Sequence, residues 1–137
     1  MVFREKYWFL SNMYPCTCEY GGYVFNSSEA LFQAIKCTND SDIRLLVGVD
    51  GFTAKRIGRR VKLRNDWEKI KLDAMYDAVC TKFLQNKYLA ELLMDTGNLE
   101  LVEDNTWGDT FWGRCNGVGQ NHLGKILMEI REELRSL

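Results

Sequence analysis

At 137 residues, with 46% hydrophobic and 27% charged side chains, the chain has the makeup of a single globular domain with room for a real core. A formal net charge of -1 excludes a global electrostatic pull toward nucleic acid, so any such contact has to be local. No apolar run reaches the roughly 18 residues a membrane span needs, the first residues carry no signal-peptide core, and five cysteines with one histidine fit no zinc spacing, so the expectation is a cytoplasmic protein with reduced thiols, no metal, no cofactor and no membrane partner.

Lys6 to Leu10 is aromatic and reads as a strand, broken by Ser11, Asn12 and Pro15. Cys16 to Tyr20, Gly21-Gly22 and Tyr23 to Phe25 read as a hairpin with a two-residue turn. The hairpin leads into a helix capped by Asn26, with Glu29 at N3, where a carboxylate can reach back to the cap. Along that helix Glu29, Gln33 and Lys36 share one stripe, and Leu31, Ala34 and Ile35 share the core-facing one. Taken alone, such a polar stripe is most often a solvated face. Lining a cleft, it is an acid, a hydrogen-bonder and a base on one rigid element.

Asp42 to Val47 reads as a short helix ending near Gly48, and Thr53 caps a third helix running to Arg60. The only basic run, Lys55 to Arg64, covers that segment. Asp66 caps the longest helix, Trp67 to Gln85, with Ile70, Ala74, Met75, Ala78 and Phe83 as its core stripe. A helix from Asn86 stops at Thr96-Gly97, and Leu99 to Glu103 alternates like a strand. Leu123, Ile126, Leu127, Ile130 and Leu134 mark a final amphipathic helix capped by Asn121. The fold class is α+β: one mostly helical domain over residues 1–137 with a small antiparallel sheet.

Between those last elements, Asp104 to Gln120 has no period, and a long structureless stretch is costly unless it serves a function. It carries Trp107, Trp112 and several glycines, and Gly117 to Asn121 runs into a helix N-terminus, where backbone N–H groups can hold a phosphate. Trp67, Trp107 and Trp112 offer faces on which a base can stack, although for any one Trp core packing is the commoner role. Asp109 is either a turn residue or a second acid facing Glu29. His122 reads as a surface residue at a helix start.

Several stretches, in order, resemble the NADAR family of YbiA-like proteins. They are Phe9-Leu-Ser-Asn-Met-Tyr-Pro15, Ser27-Ser-Glu-Ala-Leu-Phe-Gln-Ala-Ile-Lys36, Gly58-Arg59, Asp66-Trp67, Lys82-Phe83, Leu101-Val-Glu103, Trp112-Gly113 through Gly119-Gln-Asn-His-Leu-Gly124, Leu127-Met128 and Arg131. The resemblance implies hydrolysis of an N-glycosidic bond, on phosphoribosylated riboflavin-pathway intermediates or on ADP-ribosylated guanine in nucleic acid. It implies Glu29 as the key carboxylate, Lys36 and Asp109 as further catalytic candidates, and Trp67 and Trp112 as stacking or positioning residues. Asn12, Gln33, Arg59, Trp107, Gly113, Gly119 and Asn121 complete the implied substrate-binding set. Two departures bear on substrate choice rather than reaction type. Ala30 stands where many relatives have a histidine, and Arg114-Cys115-Asn116 replaces a Gly/Asp-rich stretch. The competing readings are a module that binds NAD or ADP-ribose without turnover and an interaction protein with no small ligand; only the enzyme needs Glu29.

Overall fold

In the computed structural model, which describes residues 1–137, the N-terminal aromatic run is a 3-10 helix, Glu5–Leu10, rather than the expected strand. Phe9 and Leu10 are both buried, and neighbours on one face are incompatible with strand alternation. The chain divides into two packed units: Asn12–Asn86, and Met1–Ser11 joined to Lys87–Leu137.

In the Asn12–Asn86 unit, β1 (Cys18–Tyr20) and β2 (Tyr23–Phe25) pair antiparallel, with Cys18 opposite Phe25. Gly21 and Gly22 both have positive φ, which is what the tight hairpin turn demands. Helix α1 (Ser28–Ile35) follows, but its cap is Ser27, one residue later than expected; the Ser27 hydroxyl accepts from the Ala30 N–H at 3.1 Å. Glu29 therefore falls at N2, outside the capping-box position, and its carboxylate accepts from Gln33.

Helix α2 (Asp40–Arg44) is capped by Asn39, and α3 (Gly51–Gly58) by Asp50 rather than Thr53, whose N–H is the donor to that cap at 2.7 Å. Helix α4 (Trp67–Gln85) has the expected bounds and buries Ala74, Met75, Ala78 and Phe83, with Ile70 half-buried. Asp66 makes no cap bond; it forms a bidentate pair with Arg64 at 2.7 and 3.1 Å. Helix α1 packs on both α3 and α4, so its polar stripe is buried as fully as its apolar one.

In the other unit, α5 (Lys87–Asp95) packs on α6 (His122–Arg135), which buries all five residues of its apolar stripe. Leu99 to Glu103 is not a strand: Leu101 and Val102 are buried side by side. Pairing falls further on, where β3 (Asp104–Asn105) runs parallel to β4 (Arg114–Cys115). The class is α+β and mostly helical, with β1–β2 as its small antiparallel sheet. No helix is long and apolar enough to cross a membrane.

Candidate active site

The first turn of α1 is held from outside the helix. The Glu29 N–H donates to the Asn12 carbonyl at 3.1 Å, and the Ser28 hydroxyl donates to Asn12 Oδ1 at 2.9 Å. The Asn12 amide donates in turn to Met75 Sδ at 3.2 Å, so both ends of this buried side chain clamp α1 to α4. Asn12, expected on the substrate, is placed where it fixes the helix that carries Glu29.

Glu29 is 7% exposed and Gln33 5%, and Gln33 Nε2 donates to Glu29 Oε2 at 2.9 Å. An amide that donates to a carboxylate has its carbonyl pointing away. Gln33 Oε1 lies over Gly58, is buried and accepts no hydrogen bond. A methyl group at Gly58 would overlap that oxygen, so the glycine in α3 makes room for the brace on Glu29.

Lys36 caps the C-terminal end of α1, where the Arg64 N–H donates to its carbonyl at 3.0 Å. Its ammonium lies 5.8 Å from the centre of the Trp67 ring, within cation–π range, and Trp67 leans on Phe32 at 5.2 Å. Burial lowers the Lys36 pKa below the ordinary lysine value; the Glu29 carboxylate pulls it back up and Arg59 pushes it down. Arg59, exposed at the end of α3, is thus electrostatically coupled to the same group. This unit brings together Glu29, Gln33, Lys36, Arg59 and Trp67. Trp67 is 7% exposed and packs as core on Phe32 while presenting a face to the lysine.

In the other unit, side chains and backbone knit the aperiodic loop together. Asp109 Oδ1 accepts from the N–H groups of Phe111 and Trp112 at 3.1 and 2.9 Å. Asn105 bonds both the carbonyl and the N–H of Asp109, at 2.8 and 3.0 Å. Trp112 is half-buried and meets Phe111 edge-on at 4.7 Å; Phe111 lies 4.5 Å from the His122 ring, whose Nε2 pairs with Gln120 Oε1 at 2.8 Å. Trp107 is 60% exposed.

Four successive amides at the start of α6 donate to carbonyls of the loop itself. The Gln120, Asn121, His122 and Leu123 N–H groups donate to the carbonyls of Thr110, Gly113, Phe111 and Trp112. Asn121 is the N-cap residue of α6, as expected, but its side chain makes no cap bond to the helix. It takes a left-handed conformation, accepts from the Glu103 N–H at 2.9 Å and donates to the Leu101 carbonyl at 3.0 Å. A Cβ at Gly113 would strike Glu103, and one at Gly119 would strike the Gly113 carbonyl, so both glycines serve close backbone approach within the loop.

Sequence reasoning missed three groups. His122 belongs to an aromatic cluster whose only signal was Phe111-Trp112 ten residues upstream. Phe32 supports Trp67. Lys82, quoted only within a family motif and given no role, is completely buried in α4.

The NADAR domain family model matches residues 2–135. The N-glycosidase Npun_R5314 of Nostoc punctiforme is 34% identical over 97% of this chain and 89% of its own length. The N-glycosidase YbiA of Escherichia coli (strain K12) is 37% identical over 95% of this chain and 83% of its own. The riboflavin biosynthesis protein VVA0006 of Vibrio vulnificus is 41% identical over 96% of this chain, which spans only 36% of that longer protein. The NMR structure of E. coli YbiA superposes with a TM-score of 0.86 at 33% identity, covering 99% of this chain and 84% of that one.

Proposed function

The chain belongs to the NADAR domain family, and from that premise we propose that it is an N-glycosidase cleaving a base or amine from a phosphorylated ribose. The hydrolase class is supported by the Nostoc and E. coli relatives, both named N-glycosidases. The observation that carries the reading to this chain is the buried Glu29 carboxylate, braced by Gln33 on a helix clamped at its N-terminus, with two cationic side chains electrostatically coupled nearby.

Breaking the ribose C1–N bond leaves positive charge on the sugar as the bonding pair departs with the base. Glu29 opposes that charge and accepts a proton from the attacking water. Gln33 fixes the direction of the carboxylate. Arg59 binds the ribose phosphate, and Lys36, its pKa lowered by burial, passes a proton to the leaving base. In the other unit, Asp109 holds the backbone of Trp112, whose half-buried ring offers an aromatic stacking face.

Two substrate sources share this chemistry: phosphoribosylated riboflavin-pathway intermediates, favoured by the name of the Vibrio relative, and ADP-ribosylated guanine in nucleic acid, for which Lys55 to Arg64 offers local positive charge. The test is to incubate the protein with each and measure freed base. Release from one substrate identifies the source. Binding without release from either leaves a non-catalytic module in place of the enzyme.

A further inference from the structure

Outside the site lies a cluster that no step above uses. Cys16 and Cys18 flank Thr17 at the start of β1, and their sulfurs are 3.9 Å apart. Cys16 is half-buried and solvent can reach it, whereas Cys18 is fully buried. The N–H of Ser28, the first residue of α1, hydrogen-bonds to the Cys16 sulfur, which therefore sits at a helix N-terminus. Beneath the pair is Lys82, wholly buried, its ammonium 5.7 Å from the Tyr14 ring centre and 5.2 Å from that of Phe83.

These surroundings favour the thiolate of one cysteine only. The Cys18 hydrogen bond, then the Lys82 charge and the Ser28 N–H, outweigh burial and bring Cys16 down to about 7. Cys18 is pushed far up, so it keeps its proton and serves as the donor. Cys37, also half-buried, is raised by its burial to about 11. A reachable thiolate beside a protonated thiol is the arrangement of an attacking and a resolving cysteine.

We propose that Cys16 and Cys18 form a peroxide-sensitive dithiol, with Cys16 the attacking and Cys18 the resolving sulfur. The Cys16 thiolate attacks a peroxide oxygen; an S–O bond forms, the O–O bond breaks and hydroxide leaves. Cys18 then attacks the Cys16 sulfenic sulfur; the S–S bond forms, the S–O bond breaks, and the oxygen departs as water with the Cys18 proton. Two thiols and one peroxide become one disulfide and two waters. The sulfurs must close from 3.9 Å to about 2 Å, a local shift where the chain enters the hairpin. Closure removes the negative charge facing Lys82 and the anionic acceptor of the Ser28 N–H, one residue before Glu29.

The test uses the intact protein and hydrogen peroxide, with peptide mass spectrometry as the readout, so its failure would leave the glycosidase reading standing. Wild type is expected to lose two hydrogens in the peptide holding both cysteines. Cys18→Ser is expected to trap a Cys16 sulfenic acid that a cyclic diketone captures, and Cys16→Ser to give neither product. In the reduced protein at neutral pH, iodoacetamide is expected to label Cys16 at least about tenfold faster than Cys37. Equal labelling of the two, or oxidation of another cysteine while Cys16 and Cys18 stay reduced, overturns the proposal.

Discussion

Gly58→Ala separates two effects of opposite sign. In an exposed helix the change would stabilise by about 1 kcal/mol through propensity. Here the new methyl overlaps Gln33 Oε1 and Cδ, and Gln33 is buried with its amide committed to Glu29. The side chain has to swing away. That costs either overpacking strain, about 1–3 kcal/mol, or the buried bond to a carboxylate, about 1.5–3 kcal/mol. The net expectation is a loss of about 0.5–2 kcal/mol after the propensity gain is subtracted from the lost bond. Gln33→Ala loses the same bond but clears the space, so adding Gly58→Ala to it is expected to cost nothing further. Urea denaturation of the two single variants and the double variant gives the coupling, expected at about 1–3 kcal/mol. Base release is expected to fall in all three variants, because each leaves Glu29 without its brace. A stabilised Gly58→Ala, or strictly additive energies, would refute the close contact and the role assigned to Gln33.

Asp109→Ala removes the acceptor of two N–H groups and is expected to cost about 0.5–2 kcal/mol, as for a lost cap, while Asp109→Asn keeps an acceptor, most of the stability and most of the activity; an Asn variant that melts like wild type yet is inactive would make Asp109 a catalytic acid instead. Trp112→Ala is expected to weaken substrate binding by about 1–3 kcal/mol, with Trp112→Phe recovering much of it, as titration against substrate will show. Stability is expected to rise between pH 7 and 9: burial brings Lys82 down to about 8 from 10.5 and Cys16 lies at about 7 against 9.0, so over this window the unfolded chain binds more protons than the folded one. Cys18, raised above 9.0, opposes the trend only above that pH, and denaturation of Lys82→Met across the same window is expected to show a shallower slope.

The sequence was most legible where a local rule acts alone. Gly21-Gly22 demanded a tight hairpin, and the α6 stripe and the bounds of α4 followed from period and punctuation. The cap of α1 was misplaced by one residue because Asn26 and Ser27 are both good caps, and the choice depends on Asn12 clamping the Ser28 side chain. The stripe of Glu29, Gln33 and Lys36 was visible, but not its burial, which comes from α3 and α4 packing on either side. In the glycine loop, sequence shows the donors but not the carbonyls that take up those of Gln120, Asn121, His122 and Leu123. Those carbonyls, at Thr110, Phe111, Trp112 and Gly113, reach α6 only once Asp109 has turned the chain.

The measurement closest to the central claim compares wild type with Glu29→Gln for base released from a phosphoribosylated riboflavin-pathway intermediate and from ADP-ribosylated guanine. Glutamine keeps an oxygen for Gln33 to bond, so the variant is expected to fold and melt like wild type and still bind. Release is expected to fall by at least about 10²-fold, the scale for losing a general acid or base. Undiminished release by the folded variant, or no release by wild type from either substrate, would contradict the account.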